Sequence, residues 1–153
     1  MYSRRRFILL SAAAAAAAGC GGDEAGDEHR VLMLGQQRAD QPTANAFDPL
    51  IMWVNSGDRV TFVPTQPGHQ SASSPGMIPA GAEPWNGNLN VAHTVTLTVP
   101  GIYGYICVPH YHMGMVGVIV VGGSFENIAE AREVAHPPAA AGVFERIFAQ
   151  LTA

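Results

Sequence analysis

The 153-residue chain contains no lysine; its eight basic residues are all arginine, set against twelve acids. A formal charge of −4 with so few basic groups argues against nucleic acid as a partner, because phosphate binding rests on a concentrated positive surface. Charged residues make up only 13% of the chain, while 48% are hydrophobic, enough for one domain with a real core. No apolar run approaches the roughly 18 residues that a spanning helix needs, so any membrane connection is confined to the N-terminus. Two cysteines cannot make a disulfide framework. Glycine (17) and proline (11) are abundant, a composition of many turns and few long helices.

Residues 1–20 read as an export signal: Ser3-Arg4-Arg5-Arg6-Phe7 is a charged head, Ile8-Leu9-Leu10 a short apolar stretch, and small residues follow before a cut. The S-R-R-x-F order resembles a twin-arginine signal, a route for cargo that folds before export; a plain secretory signal leads to the same compartment. Ala17-Ala18-Gly19-Cys20 resembles a bacterial lipobox with Ala17 where Leu is usual, which makes Cys20 a candidate for lipid attachment, against ordinary cleavage within the alanine run. Residues 21–29 (GGDEAGDEH) hold four acids and three glycines and read as a flexible acidic tether that includes His29. Fully extended, they reach about 30 Å. From Cys20 onward five arginines oppose twelve acids, a charge of −7.

The segments 31–34, 47–54, 59–63, 93–99, 102–107 and 115–121 are short, rich in Val, Thr, Ile and aromatics, and separated by Gly, Pro and Asn. Along 93–99 the apolar residues Val95, Leu97 and Val99 alternate with threonine, the period of a strand with one buried face. An antiparallel β-sandwich over residues 30–123 is expected. Beyond Gly122-Gly123 the period changes. Ser124 can cap a helix with Asn127 at its third position and Phe125, Ile128, Ala129 and Arg132 at helical spacing, until His136-Pro137-Pro138 stops it. A second amphipathic run at Val143, Phe144, Ile147, Phe148 and Leu151 makes residues 124–153 a helical pair packed on the sandwich.

Cys107-Val-Pro-His110-Tyr-His-Met-Gly-Met115 puts a thiol, imidazoles and thioethers on one loop between two strands, and His69 follows the turn Pro67-Gly68. Two His and one Cys with a weak axial Met is the ligand set of a blue-copper electron-transfer site. Zinc is the rival, though it seldom uses a thioether and prefers a fourth strong ligand. A buried structural cysteine beside core methionines is the remaining reading. Within the loop, Met113 or Met115 can supply the thioether, and His110 or His112 the second imidazole.

Several stretches together resemble the cupredoxins and, within them, the pseudoazurin family: Gly57-Asp-Arg-Val-Thr-Phe62, Gly68-His69, Gly76-Met-Ile-Pro-Ala-Gly-Ala-Glu83, Gly101-x-Tyr-x-Tyr-x-Cys107 and Pro109-His-Tyr-x-Met-Gly-Met115, with the closing helices. The resemblance runs from about Val31 to the C-terminus. It implies a mainly β fold, a Greek-key cupredoxin sandwich with two C-terminal α-helices. It also implies one copper ion (Cu⁺/Cu²⁺) held by His69, Cys107, His110 and Met115, with Gln70 and Pro109 in the surrounding shell. Met113 is then loop packing, His112 a surface residue, and His93 and His136 structural. Met115 is the axial ligand, and Pro109, having no N–H, offers the thiolate no bond.

Two departures from the family pattern sit close to the metal. Gln70 stands where the family usually has Asn, whose short amide ties the two ligand loops, and the lysines generally found around the exposed ligand histidine are missing. The implied activity is electron transfer rather than catalysis: a periplasmic carrier, monomeric, lipid-anchored if Cys20 is modified. It would dock transiently near His110 with redox proteins such as nitrite or nitrous oxide reductase. Met52, Met77, Ile78, Pro79 and Met113 are expected to line the apolar patch around His110. A copper chaperone or store of the same fold is the alternative. A multicopper oxidase would need several H-x-H pairs, and only His110-x-His112 exists among six histidines. The two-cysteine copper centre of terminal oxidases needs a second Cys in the loop.

Overall fold

The threonine alternation builds the strand it predicts. In the computed structural model, which describes residues 26–35 and 45–153, β6 (His93–Leu97) buries Leu97 and exposes Thr94 and Thr96. It runs antiparallel to β4 (Asp58–Pro64), whose Val60 and Phe62 point into the core at every second position. β1 (Glu28–Leu34) and β2 (Ala46–Asp48) complete a four-stranded sheet in the order β2-β1-β4-β6. The second sheet has the order β3-β8-β7-β5, from β3 (Ile51–Val54), β5 (Ser71–Ser73), β7 (Gly101–Cys107) and β8 (Val116–Val121). Two helices close the chain, α1 (Ile128–Glu133) and α2 (Pro138–Leu151).

Between the sheets lies an aromatic core. The Tyr105 ring stands edge-on to Phe47 at 4.7 Å and to Phe62 at 5.0 Å, and Trp85 stacks on Phe62 at 5.7 Å. A second apolar cluster forms on the outer face of the second sheet, where Ile102, Val118 and Val120 meet Val143, Phe144 and Ile147 of α2. This explains why β8 (VGVIVV) is buried at every position and shows no alternation: both its faces are covered.

Four details differ from the sequence expectations. The sandwich is not purely antiparallel, because β1 runs parallel to β4 and β3 parallel to β8. The segment 47–54 is two strands, dividing at Asp48-Pro49 so that its halves join different sheets. Glu28 and His29, assigned to the tether, belong to β1 and pair with Arg59 and Val60. β4 offers these two residues a ready ladder, and His29 Nε2 lies 2.9 Å from the Asp58 carboxylate. Finally, the first helix begins at Ile128, not after Ser124. Ser124 Oγ reaches only the Glu126 N–H at 3.4 Å, whereas the Asn127 amide accepts from Ile102 N–H and donates to Ile102 C=O, both at 2.8 Å, fixing the helix start to β7. The export signal, Cys20 and residues 21–25 lie outside the described residues. Among the described residues, no helix is long and apolar enough to cross a membrane.

Candidate metal centre

Cys107 is the last residue of β7, fully buried, and lies in register with Ser71 of β5. That pairing lays Gly68, His69 and Gln70, which lead into β5, alongside the thiol. Beyond Cys107 the chain makes a 3₁₀ turn, Val108–Met113, with Pro109 near its start, where a fixed φ and a missing N–H cost nothing. Gly114 ends the turn at φ 86°, a left-handed conformation that favours glycine, and its N–H donates to Tyr111 C=O at 3.0 Å. Met115 N–H then donates to His110 C=O at 3.2 Å, and Cys107 N–H to Met115 C=O at 2.9 Å. The main chain of Met115, itself fully buried, is therefore bonded to both loop residues that face the site.

His69 Nδ1 lies 3.7 Å and His110 Nδ1 3.4 Å from Cys107 Sγ, and the ligand atoms of these three residues all fall within 4.8 Å of one another. Cys107 and His69 are buried and His110 is half-buried at the open edge. Gly68, at φ 101°, runs beside the His110 ring; a Cβ there would sit 3.9 Å from His110 Cε1. Burial pushes the Cys107 thiol up, partly offset by the backbone N–H groups of Gln70 and His110, which bond to the sulfur. Burial also pushes His69 down, and neighbouring His110 adds to this, so His69 presents a neutral imidazole.

One sulfur and two imidazole nitrogens converging without a carboxylate is a soft-to-borderline donor set, and it fits copper. The model of the copper-binding proteins of the plastocyanin/azurin family matches residues 36–122. The chain belongs to this family. Within it the chain is similar to the pseudoazurin of Paracoccus pantotrophus, 36% identical over 123 residues, which span 80% of this chain and 81% of that one. Among solved structures, a Sinorhizobium pseudoazurin is 42% identical with a TM-score of 0.77, covering 82% of this chain and 96% of the other. The pseudoazurin of Methylobacterium extorquens AM1 is 34% identical, also with a TM-score of 0.77, covering 82% and 99%. The chain is thus a cupredoxin of the pseudoazurin group, and its cofactor is one copper ion.

Other expectations for this cupredoxin site fare differently. The Gln70 side chain does not tie the ligand loops: its Nε2 donates to Asn86 Oδ1 at 2.8 Å, and the loops are joined through main chain, Val108 N–H to Gln70 C=O at 3.3 Å. His112 is exposed and does not join the cluster. His93 opens β6, and His136 bonds Tyr111. Of the residues expected to rim His110, Met52, Met77 and Pro79 are buried, and Ile78 packs partly buried against the inter-sheet core. Met77 instead packs over Gly104, where any side chain would collide with it.

Only Met113 of that set is prominently exposed, at 48%, and it is joined by Val108 and by Leu89 and Val91, which the sequence reading missed. Leu89 and Val91 flank Asn90, whose N–H donates to His69 C=O at 2.8 Å. Two apolar residues within the Asn- and Gly-rich stretch 86–92 were the available signal. Ser71 and Trp85 were missed as well: Trp85 Nε1 donates to Ser71 Oγ at 2.9 Å, bolting the strand after His69 to the aromatic core.

Proposed function

We propose that the chain is a periplasmic one-electron carrier in which His69, Cys107, His110 and Met115 hold the copper ion. The observation that carries the ligand set is the convergence of His69, Cys107 and His110 on one buried point, with the Met115 main chain bonded across that loop. Copper bound there supplies a one-electron couple and a strong visible charge-transfer absorption through the thiolate. The residues supply the rest. β7 and β5 fix Cys107 and His69 inside a packed core, so donor positions move little between redox states. The N–H groups of Gln70 and His110 stabilise a thiolate at Cys107, and Pro109 withholds a third donor. Met115 would add a weaker thioether donor and so help set the potential. His110, half-buried where Cys107 and His69 are buried, would be the port through which an electron enters and leaves.

Redox partners dock transiently on the face around His110; the exposed apolar residues in the segments next to the ligands are Val108, Met113, Leu89 and Val91. The segments that build this face, 66–76, 86–92 and 108–115, contain no charged residue at all. The acids that give the mature chain its charge of −7 lie outside these segments, so the segments around the ligands are themselves uncharged while the long-range field is negative. That pattern favours a neutral or basic partner; a nitrite or nitrous oxide reductase qualifies if its own docking face is not acidic. Export by the twin-arginine-like signal, and a lipid on Cys20 that raises effective concentration near a membrane partner, complete the reading.

The copper-loaded protein should be blue or green, and Cys107→Ser should abolish the colour; a loaded protein without a strong visible band would point instead to a chaperone or store. Stopped-flow transfer to a reductase should slow as salt rises if the partner is basic, and accelerate if it is acidic.

A further inference from the structure

The 3₁₀ turn that carries His110 has no buried residue and no side-chain cap of its own. Its contact through Met113, to the Asn45 amide, is long and exposed at 4.0 Å. The firm side-chain tie is at Tyr111, directly after His110: its hydroxyl and His136 Nδ1 share a hydrogen bond of 2.6 Å, with the two rings edge-on. His136 sits between the two helices, its ring 4.4 Å from that of Phe144, which is buried and stacks in turn on Phe148. Arg132 of α1 lies over the Phe148 ring at 5.4 Å and donates to Phe148 C=O at 3.2 Å, so both helices contribute to the seat.

The other ring nitrogen of His136, Nε2, is buried without a hydrogen-bond partner. Packing alone does not account for an imidazole there, because an apolar side chain would fill the same space without stranding a polar atom. Its polar function is the bond to Tyr111. We propose that His136 is a positioning residue for the metal centre, anchoring the His110 turn to the C-terminal helical pair through Tyr111. Burial pushes His136 down and Tyr111 up, so both partners stay neutral and the link carries no charge to the site. The helical pair is thereby more than a cover for the outer face of the second sheet: it sets how firmly the half-buried histidine is held. This inference rests on the copper reading only for its consequence at the metal; the tie itself is testable without metal.

The test uses the full chain with Tyr111→Phe, His136→Leu and His136→Gln. In the metal-free protein, hydrogen exchange at the Gly114 and Met115 amides, which donate to Tyr111 and His110 carbonyls, should accelerate about five- to tenfold in Tyr111→Phe and His136→Leu. His136→Gln, which keeps a hydrogen-bonding amide, should restore most of the protection, and amides of the β7–β8 ladder should be unchanged throughout. In the copper-loaded protein the first two variants should shift the visible band and the potential in the same direction. The double variant should shift them no further than either single one. Exchange that is unchanged at both amides, or that rises equally along the ladder, overturns the proposal. If His136→Leu does not fold, Tyr111→Phe, which removes one oxygen, decides alone. A parent protein with no thiolate band overturns the copper reading and leaves the exchange result standing.

Discussion

Copper uptake by the metal-free protein should release close to one proton per ion between about pH 7.5 and 9, and that proton should come from Cys107. The thiol is fully buried, and burial holds it above the ordinary thiol range despite the two backbone N–H groups at the sulfur. Throughout this window it is protonated, while the metal binds the thiolate. His69 contributes no proton, because burial pushes it below the ordinary imidazole value near 6.5 and it is already neutral. With one proton displaced, the apparent affinity rises about tenfold per pH unit, or about 1.4 kcal/mol. Between pH 7.5 and 8.5 this amounts to about tenfold, flattening once pH passes the thiol pKa. Titration calorimetry in buffers of different ionisation enthalpy, with copper presented as a weak buffer complex, counts the protons directly. Cys107→Ser should reduce the count to near zero. A parent count near zero, or an unchanged count in Cys107→Ser, would refute the assignment of the thiol as a protonated ligand in waiting.

If Met115 is the thioether ligand, Met115→Leu should keep the colour and raise the potential, since losing that donor would disfavour Cu(II), while changing metal-free stability by less than about 1.5 kcal/mol because the volumes are similar. Met113→Leu, at an exposed position, should leave the potential nearly unchanged; the reverse ranking would make Met113 the axial ligand. Asn127→Ala should cost about 1–3 kcal/mol in denaturant unfolding, because it strips partners from both the N–H and the C=O of buried Ile102. Asn127→Asp should also destabilise, since a carboxylate would face the Ile102 carbonyl. Asp58 is held below its ordinary value chiefly by the Asn55 N–H, with the His29 and Asp27 bonds adding to this against burial. Its contribution to stability is therefore present above about pH 4 and is lost as pH falls through the lower folded value. Acid unfolding should be less steep in Asp58→Asn, and identical steepness would show that Asp58 does not report the transition.

The pattern of short β-rich segments, the apolar and threonine alternation at 93–99 and the Cys107-x₂-His110-x₄-Met115 loop made the sandwich and the ligand candidates legible, because local period and ligand chemistry are written in consecutive residues. The sequence by itself determined that a thiol, imidazoles and a thioether share one loop. Ligand spacing alone left His110 and His112 open and only the family resemblance favoured His110, and the exposed apolar residues could not be ranked, because those depend on which way a six-residue turn faces. The pairing of Ser71 with Cys107 brings His69 across 38 residues to the sulfur, and only the 3₁₀ geometry closed by Gly114 turns His110 inward and His112 out. The second sheet's outer face was equally hidden: β8 has no period because helices cover one side and the sandwich core the other. The Tyr111–His136 tie and the turning of Gln70 to Asn86 were decided by tertiary structure alone, since each joins segments with no local signal linking them, and a hydrogen bond forms where packing brings two groups within reach.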